Sequence, residues 1–413
     1  MGTIAKPNRG HYRQLRSKRL LLLVVVLIAV AQLGVGILLD QYPLKVRFRL
    51  AESVLNHLAR TSHRPDILFL GSSRFGAAVN IVELQQTMQE TFGKDAPLTY
   101  NCWFPGADPY SLDFLLQHIL RRGIRPGMVV LEISPETVML AGPFQGGQVT
   151  RIMTWKDMLG ALEDLVVSKK YPRLMSSRLI PISLFRMELL TYLFGVSPPY
   201  LALPRDSQQQ HPLKAVENMD ETPPPIAEAQ VNPNQPTPAS SDASPQHPAN
   251  VAANPEPAGA AQVHAQNSSQ AERDDVRKLI QSAQPRVQRW LRNFRIRGLN
   301  ARHLESMLAY FQAQGIPTIL VGVPVTKMHY ECYSEKTNRE FLEYMDKLCR
   351  KYGSSFVDYR NRFSDELFYD HMHMTYAGGH AFSRVFQQEV LSEAWRKSFK
   401  LPQHASHPAP PSS

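Results

Sequence analysis

From Asp66 onward, short apolar runs alternate with stretches whose apolar residues recur at helical spacing. Ile67-Leu68-Phe69-Leu70 reads as a buried strand ending at Gly71, and Leu98-Thr99-Tyr100-Asn101 as a second. Leu112, Leu115, Leu116, Ile119 and Leu120 give a helix over residues 110–122; residues 128–133, opened by Pro126-Gly127, give a third strand. The pattern resumes with a helix over 299–314, a strand over 318–323, a helix over 337–352, a strand over 355–358 and a last helix from Tyr376. Strands separated by helices make βαβ units. The expected fold is therefore α/β: a small doubly wound parallel sheet of about five strands.

Two segments depart from this alternation. Leu20 to Leu39 carries no charge, and Gln32 is its one clearly polar residue. About 20 apolar residues in a helix span roughly 30 Å, the thickness of a bilayer core. A cleaved signal peptide would have a shorter apolar region ending in a small-x-small site, and Ile37-Leu38-Leu39-Asp40 offers none. Residues 202–271 contain no Phe, Trp or Tyr and are dense in Pro, Ala, Gln, Asn and Ser. Such a stretch has too little apolar surface to offset chain entropy, so disorder is expected there and again over 401–413. Strand-forming segments lie on both sides of 202–271, which makes it an insertion: residues 40–201 and 272–400 form one domain. Within it, 151–200 reads as helical, with Trp155, Leu159, Leu162, Leu165 and Val166, then Leu184, Phe185, Leu189, Leu190 and Leu193, at helical spacing. Ordinary packing is the expectation for these, with a cap or membrane-facing lid as the alternative.

Charge sharpens the topology. The chain has 46 basic and 36 acidic residues, a formal net charge of +10. Six of the basic residues, Lys6, Arg9, Arg13, Arg16, Lys18 and Arg19, lie before the apolar run among no acids, leaving 40 against 36 elsewhere. The excess is a topology signal and gives no support to a nucleic-acid partner. Residues 1–19 are expected to be a cytoplasmic tail and 20–39 a transmembrane signal anchor, with the body in the periplasm or outside the cell. Of three cysteines, Cys332 and Cys349 are available for a disulfide or remain free thiols, and no CxxC spacing supports a zinc site.

Two short segments carry candidate chemistry. Gly71-Ser72-Ser73-Arg74 follows the first strand, where open α/β sheets form their sites. A serine there has backbone N–H groups nearby for an oxyanion, although for Ser72 or Ser73 taken alone a helix N-cap is the better explanation. Tyr369-Asp370-His371-Met372-His373-Met374-Thr375-Tyr376 places an acid three residues before a histidine, just ahead of the final helix. A serine needs a base to take its proton, and a carboxylate to hold that base in the right tautomer. His371, His373 and His380 are also conceivable metal ligands, but no matching acidic or thiolate set accompanies them.

Together these segments resemble the SGNH (GDSL-like) hydrolase superfamily, whose first block is Gly-Asp-Ser and whose last is Asp-x-x-His. Gly71-Ser72-Ser73 matches the first with Ser72 in place of Asp, and Asp370 and His373 match the last. The resemblance implies Ser73 as nucleophile, His373 as base and Asp370 as its orienter. Asn101-Cys102-Trp103-Phe104-Pro105-Gly106 is similar to the second block, which implies oxyanion contributions from Gly106, Asn101 and the Ser73 backbone. The third block, Gly-x-Asn-Asp, is replaced by Glu132-Ile133-Ser134-Pro135-Glu136, so its asparagine donor is missing. Arg74 is implied either to bind an anionic polymer or to make a surface salt bridge, and His371 is a further candidate for substrate binding.

The Gly-Ser-Ser block and the anchor look like the branch that modifies cell-surface polymers, including alginate O-acetyltransferases and the D-alanyl-lipoteichoic-acid transfer protein. That likeness implies an acyltransferase or esterase acting on a cell-surface polysaccharide through acyl-Ser73, without metal or other cofactor. A multi-spanning membrane-bound O-acyltransferase is the implied partner. The alternative is an inactive SGNH-fold protein that assembles with or binds the polymer.

Overall fold

The computed structural model describes residues 9–60, 65–142, 149–169, 171–195 and 270–399. Both segments expected to be disordered fall almost wholly outside these residues. Of 202–271 only Gln270 and Ala271 are described, and they are helical: the first turn of Gln270–Ser282 corrects the boundary by two residues.

The chain opens with α1, Arg9–Gln41, and among the described residues its stretch Ser17–Gln41 is the one long and apolar enough to cross a membrane. Short α2 (Pro43–Arg47) and α3 (Arg49–Arg60) lead to β1 (Ile67–Gly71). Then come α4 (Ser73–Ala78), α5 (Ile81–Phe92), β2 (Thr99–Trp103), α6 (Pro109–Arg121), β3 (Met128–Ile133) and the single turn α7 (Pro135–Val138). Six short helices follow: α8 (Val149–Ile152), α9 (Trp155–Gly160), α10 (Leu162–Ser168), α11 (Tyr171–Leu179), α12 (Pro181–Leu184) and α13 (Arg186–Phe194). Beyond the insertion lie α14 (Gln270–Ser282), α15 (Gln284–Leu291), α16 (Leu299–Ala313), β4 (Thr318–Gly322), α17 (Lys327–Glu331), α18 (Glu335–Tyr352) and β5 (Ser355–Asp358). The last helix, α19 (Tyr376–Phe386), continues through one π-helical segment into α20 (Ser392–Phe399).

All five strands are parallel, in the order β2-β1-β3-β4-β5, the flavodoxin-like winding. Alternation along each strand builds two apolar layers. Leu68, Leu70, Val129, Leu131 and Leu320 face α3, α6, α16 and α18, through Leu55, Leu116, Leu308 and Phe341 among others. Ile67, Phe69, Val130, Ile319 and Val321 face α4, α5, α19 and α20, through Phe75, Met88, Phe386 and Trp395. Each such fully buried side chain stabilises the fold by about 1.5–3 kcal/mol.

The winding positions the site. From β1 the chain moves outward to β2, then returns to the other side of β1 as β3. The crevice at the carboxyl ends of β1 and β3 is the switch point where ligands bind in such sheets. The segments after these two strands are Ser72-Ser73-Arg74 and Ser134-Pro135-Glu136.

The helical region departs from expectation in its packing. Leu165 and Phe185 are buried, but Leu159, Leu162, Val166, Leu190 and Leu193 are exposed. The helices are too short for one continuous stripe to meet the body, so ordinary packing accounts for only part of their apolar residues. Cys332 and Cys349 are both free thiols.

Candidate active site

The two serines after β1 have different partners. Ser72 is the N-cap of α4: its Oγ accepts from the Arg74 N–H at 3.2 Å and donates to Glu132 Oε1 at 2.9 Å. Its own N–H donates to Glu132 Oε2 at 2.5 Å. Ser73 opens the helix, and its Oγ lies 2.8 Å from His373 Nε2. Gly71 makes the turn possible, because a Cβ there would meet the Phe75 side chain and lie 2.7 Å from Glu132 Oε2.

The histidine is oriented from behind. His373 Nδ1 lies 2.7 Å from Asp370 Oδ2, and Asp370 Oδ1 accepts from the backbone N–H groups of Met372 and His373, each at 2.8 Å. Burial pushes the Asp370 carboxyl up, but the His373 hydrogen bond and charge and the two N–H groups outweigh it and hold it down at about 2. Ionised Asp370 accepts the Nδ1 proton, leaving Nε2 as the acceptor for the Ser73 hydroxyl. Tyr369 stacks on the imidazole, 5.6 Å between centroids and 6° between planes, and its N–H donates to His373 O at 3.1 Å.

On the other side of Ser73, the end of β3 supplies a buried ionic network. Arg74 Nε donates to Glu132 Oε1 at 3.0 Å, its second terminal nitrogen donates to Ser134 Oγ at 2.7 Å, and its first lies 3.9 Å from Glu136 Oε2. The surface salt bridge expected of Arg74 is thus a buried one, because Glu132 and Glu136 reach it from the neighbouring strand at the switch point. Burial works against the guanidinium charge, and Glu132 and Glu136 raise its pKa in spite of that.

Glu136 also accepts from fully buried His329 Nε2 at 2.5 Å and from Tyr333 Oη at 2.7 Å. Burial alone would raise its carboxyl; the His329 hydrogen bond and the His329 and Arg74 charges hold it well below the usual carboxylate range.

Beside Ser73 and this network opens a cleft of about 180 Å³, lined by Ser73, Arg74, Gly106, Glu136, Trp290 and His329 among others. Gly106 sits there in the left-handed region, φ 65°, in the turn ahead of α6. Buried Asp108, the N-cap of α6, also lines the cleft, and burial pushes its carboxyl up to about 6.

Two expected contributors lie elsewhere. Asn101 sits mid-strand in β2, paired in register with Phe69, two residues short of the strand end, and does not line the cleft. His371 is buried behind the cleft, stacked on His329 at 5.2 Å and 20°, with its carbonyl accepting from Thr326 Oγ1 at 3.0 Å. Burial first, then the neighbouring His329 charge, push its pKa down to about 4. His371 and His373 therefore diverge, and among the described residues no three His, Cys, Asp or Glu side chains converge as metal ligands.

Sequence reasoning placed no role on Glu132, Glu136, Trp290 or His329. The one signal present was the acidic Glu132-Ile133-Ser134-Pro135-Glu136 segment at the end of a predicted strand.

Fold and geometry define the chain as a parallel α/β protein with a Ser–His–Asp hydrogen-bonded chain at its switch point. A family model of uncharacterised proteins matches residues 268–394, the part from α14 into α20 that includes His373 and Asp370 but not Ser73. No curated protein matches the sequence.

Proposed function

We propose that the protein is a membrane-anchored serine acyltransferase or esterase of SGNH type, acting on O-acyl groups of a cell-surface polysaccharide. The observation that carries this reading is the relay from Ser73 Oγ through His373 to Asp370, at 2.8 and 2.7 Å. As His373 Nε2 takes the Ser73 proton, Oγ attacks the acyl carbonyl and an oxyanion forms beside the Ser73 and Gly106 backbone N–H groups. The intermediate collapses to acyl-Ser73, and His373 returns the proton to the departing oxygen. A sugar hydroxyl, or water, then attacks the acyl-enzyme and gives its own proton to His373, which passes it to Ser73 Oγ as the acyl–Ser73 bond breaks.

The anchor reading gives α1 a cytoplasmic N-terminus, from its arginine-rich flank, and puts the α/β body on the far side of the membrane. A multi-spanning acyltransferase is the partner class that would deliver the acyl group there.

The test is labelling of the full-length chain by a fluorophosphonate, with the modified peptide located by mass spectrometry. Labelling at Ser73, absent in Ser73→Ala, is the expected result; equal labelling of both would sink the catalytic reading. A second reading, a non-catalytic polymer-binding protein, is favoured by the missing third-block asparagine. The absence of any labelling in the folded chain would support it.

A further inference from the structure

The exposed apolar residues are unevenly distributed. Among the described residues, thirteen of the thirty large ones lie on α1, and eleven fall between Leu159 and Phe194. At the start of α13, Phe185 and Leu189 pack with Leu39, Val46 and Val35 in a small core separate from the two layers of the sheet. Farther along the same helix, Leu190, Leu193 and Phe194 recur at helical i, i+3, i+4 spacing and are uncovered. With Leu179, Ile180 and Tyr192 they are 42–70% exposed. A cluster of large apolar side chains left this exposed marks a surface that meets a partner or a membrane.

The depth of these helices is fixed by their contacts with α1. The Ile182 N–H donates to Gln32 Oε1 at 3.1 Å, and a Cβ on Gly36 would lie 3.6 Å from Pro181. Gln32 precedes Leu39, the end of the uncharged run, by seven residues, or about 10 Å at 1.5 Å per residue. Helices that lie in a membrane interface bury their apolar face about 5–10 Å. Asp40, at the end of the run, pairs at 2.5 Å with Arg178 and 2.6 Å with Arg47, so its carboxylate is not left unpaired at that level.

We infer that residues 179–194 form a second membrane-contacting element: they lie in the leaflet where the C-terminal end of α1 emerges, with Ile180, Leu190, Leu193 and Phe194 against phospholipid acyl chains. The inference rests on the proposed reading that α1 spans a bilayer. The body is then held at two places, which fixes its tilt as well as its distance from the surface.

The test places photoreactive p-benzoylphenylalanine at Leu193 in the full-length chain, in nanodiscs of phosphatidylethanolamine and phosphatidylglycerol. Phe194 serves as a second site in case the first variant is poorly folded. Val26 in α1 and exposed Leu342 on α18 are the references. The expected result after illumination is a mass increase of one phospholipid at Leu193, Phe194 and Val26, with none at Leu342. Crosslinked chain dimers at Leu193 and Phe194, or no adduct there while Val26 takes lipid, would overturn the inference. Failure at Val26 alone would count against the spanning reading of α1 and leave the 179–194 contact supported.

Discussion

Ser73 stands between two regions of opposite character. Toward the C-terminus it meets the loop of Asp370 and His373, a chain of two hydrogen bonds whose far end is a single ionised carboxylate. Toward β3 it adjoins Arg74, Glu132, Glu136 and His329, where two carboxylates are buried against a guanidinium and an imidazole. On the proposed reading, the first arrangement takes a proton from Ser73 and gives it back within one turnover. The second is a lock, held by the mutual pairing of its charged groups. Adjacent serines are divided between the two: Ser73 belongs to the relay and Ser72 to the lock. If the proposed reading holds, chemistry and stability fall to separate side chains even at neighbouring positions.

Breaking the relay should have the largest effect and leave the fold intact. On the proposed reading, Ser73→Ala and His373→Ala are expected to lower the fluorophosphonate labelling rate by at least about 10⁴-fold, the size of loss seen when a triad serine or its base is removed. Thermal unfolding should stay close to that of the parent chain. Breaking the lock should do the reverse. Arg74→Ala leaves Glu132 and Glu136 buried without their cation, at a cost of about 3–5 kcal/mol. In a body of this size that lowers Tm by roughly 10 °C. Pairing Arg74→Ala with Glu132→Gln should recover part of the loss in the same melting experiment, because one of the two stranded charges is gone. A large stability loss in Ser73→Ala would erase the distinction between the two regions.

How far the molecule was legible in its sequence divides along the same line. The strands were readable because each is an apolar run closed by a turn residue: β3 and β5 fall on the expected residues, and β2 runs two residues further, to Trp103. The three side chains of the relay were readable too, since Asp370 and His373 share one loop and Ser73 follows a strand in the turn where sheets of this winding form sites. The lock was not. Arg74 meets Glu132 and Glu136 some 60 residues away, and only the placement of β3 beside β1 brings them together. Trp290 and His329 sit on α15 and α17, beyond the insertion, where no local spacing marks them. Asn101 shows the opposite error: its block matches in order, but the extra length of β2 leaves it two residues short of the strand end.

His371 tests the boundary between the regions, because it stacks on His329 of the lock and its Nδ1 lies 3.9 Å from Asp370 of the relay. Its folded pKa is lowered to about 4, against an ordinary 6.5. Between those values the unfolded chain binds a proton that the folded one excludes. The His371 contribution is therefore fully present above about pH 6.5 and falls as pH drops toward 4, by up to about 3 kcal/mol. Denaturant unfolding from pH 7 to pH 4 should show this slope, and His371→Gln should flatten it. Asp370, held at about 2, acts mainly below pH 4 and adds only the lowest part of this slope. An unchanged slope in His371→Gln would assign the acid sensitivity to another buried group.

The smallest expected effect makes the sharpest comparison, since it concerns the serine next door. Ser72→Ala removes the N-cap of α4, a loss of about 1 kcal/mol. It also removes one donor to Glu132 Oε1, which still accepts from Arg74 Nε, while the residue 72 N–H can still reach Oε2. Nothing in that change touches the bond between Ser73 Oγ and His373 Nε2. The variant should melt slightly earlier and label at close to the parent rate, the inverse of Ser73→Ala one position along. If Ser72→Ala lost labelling as Ser73→Ala does, the two regions would act as one unit, and the lock would have to be counted among the groups that hold the nucleophile in place.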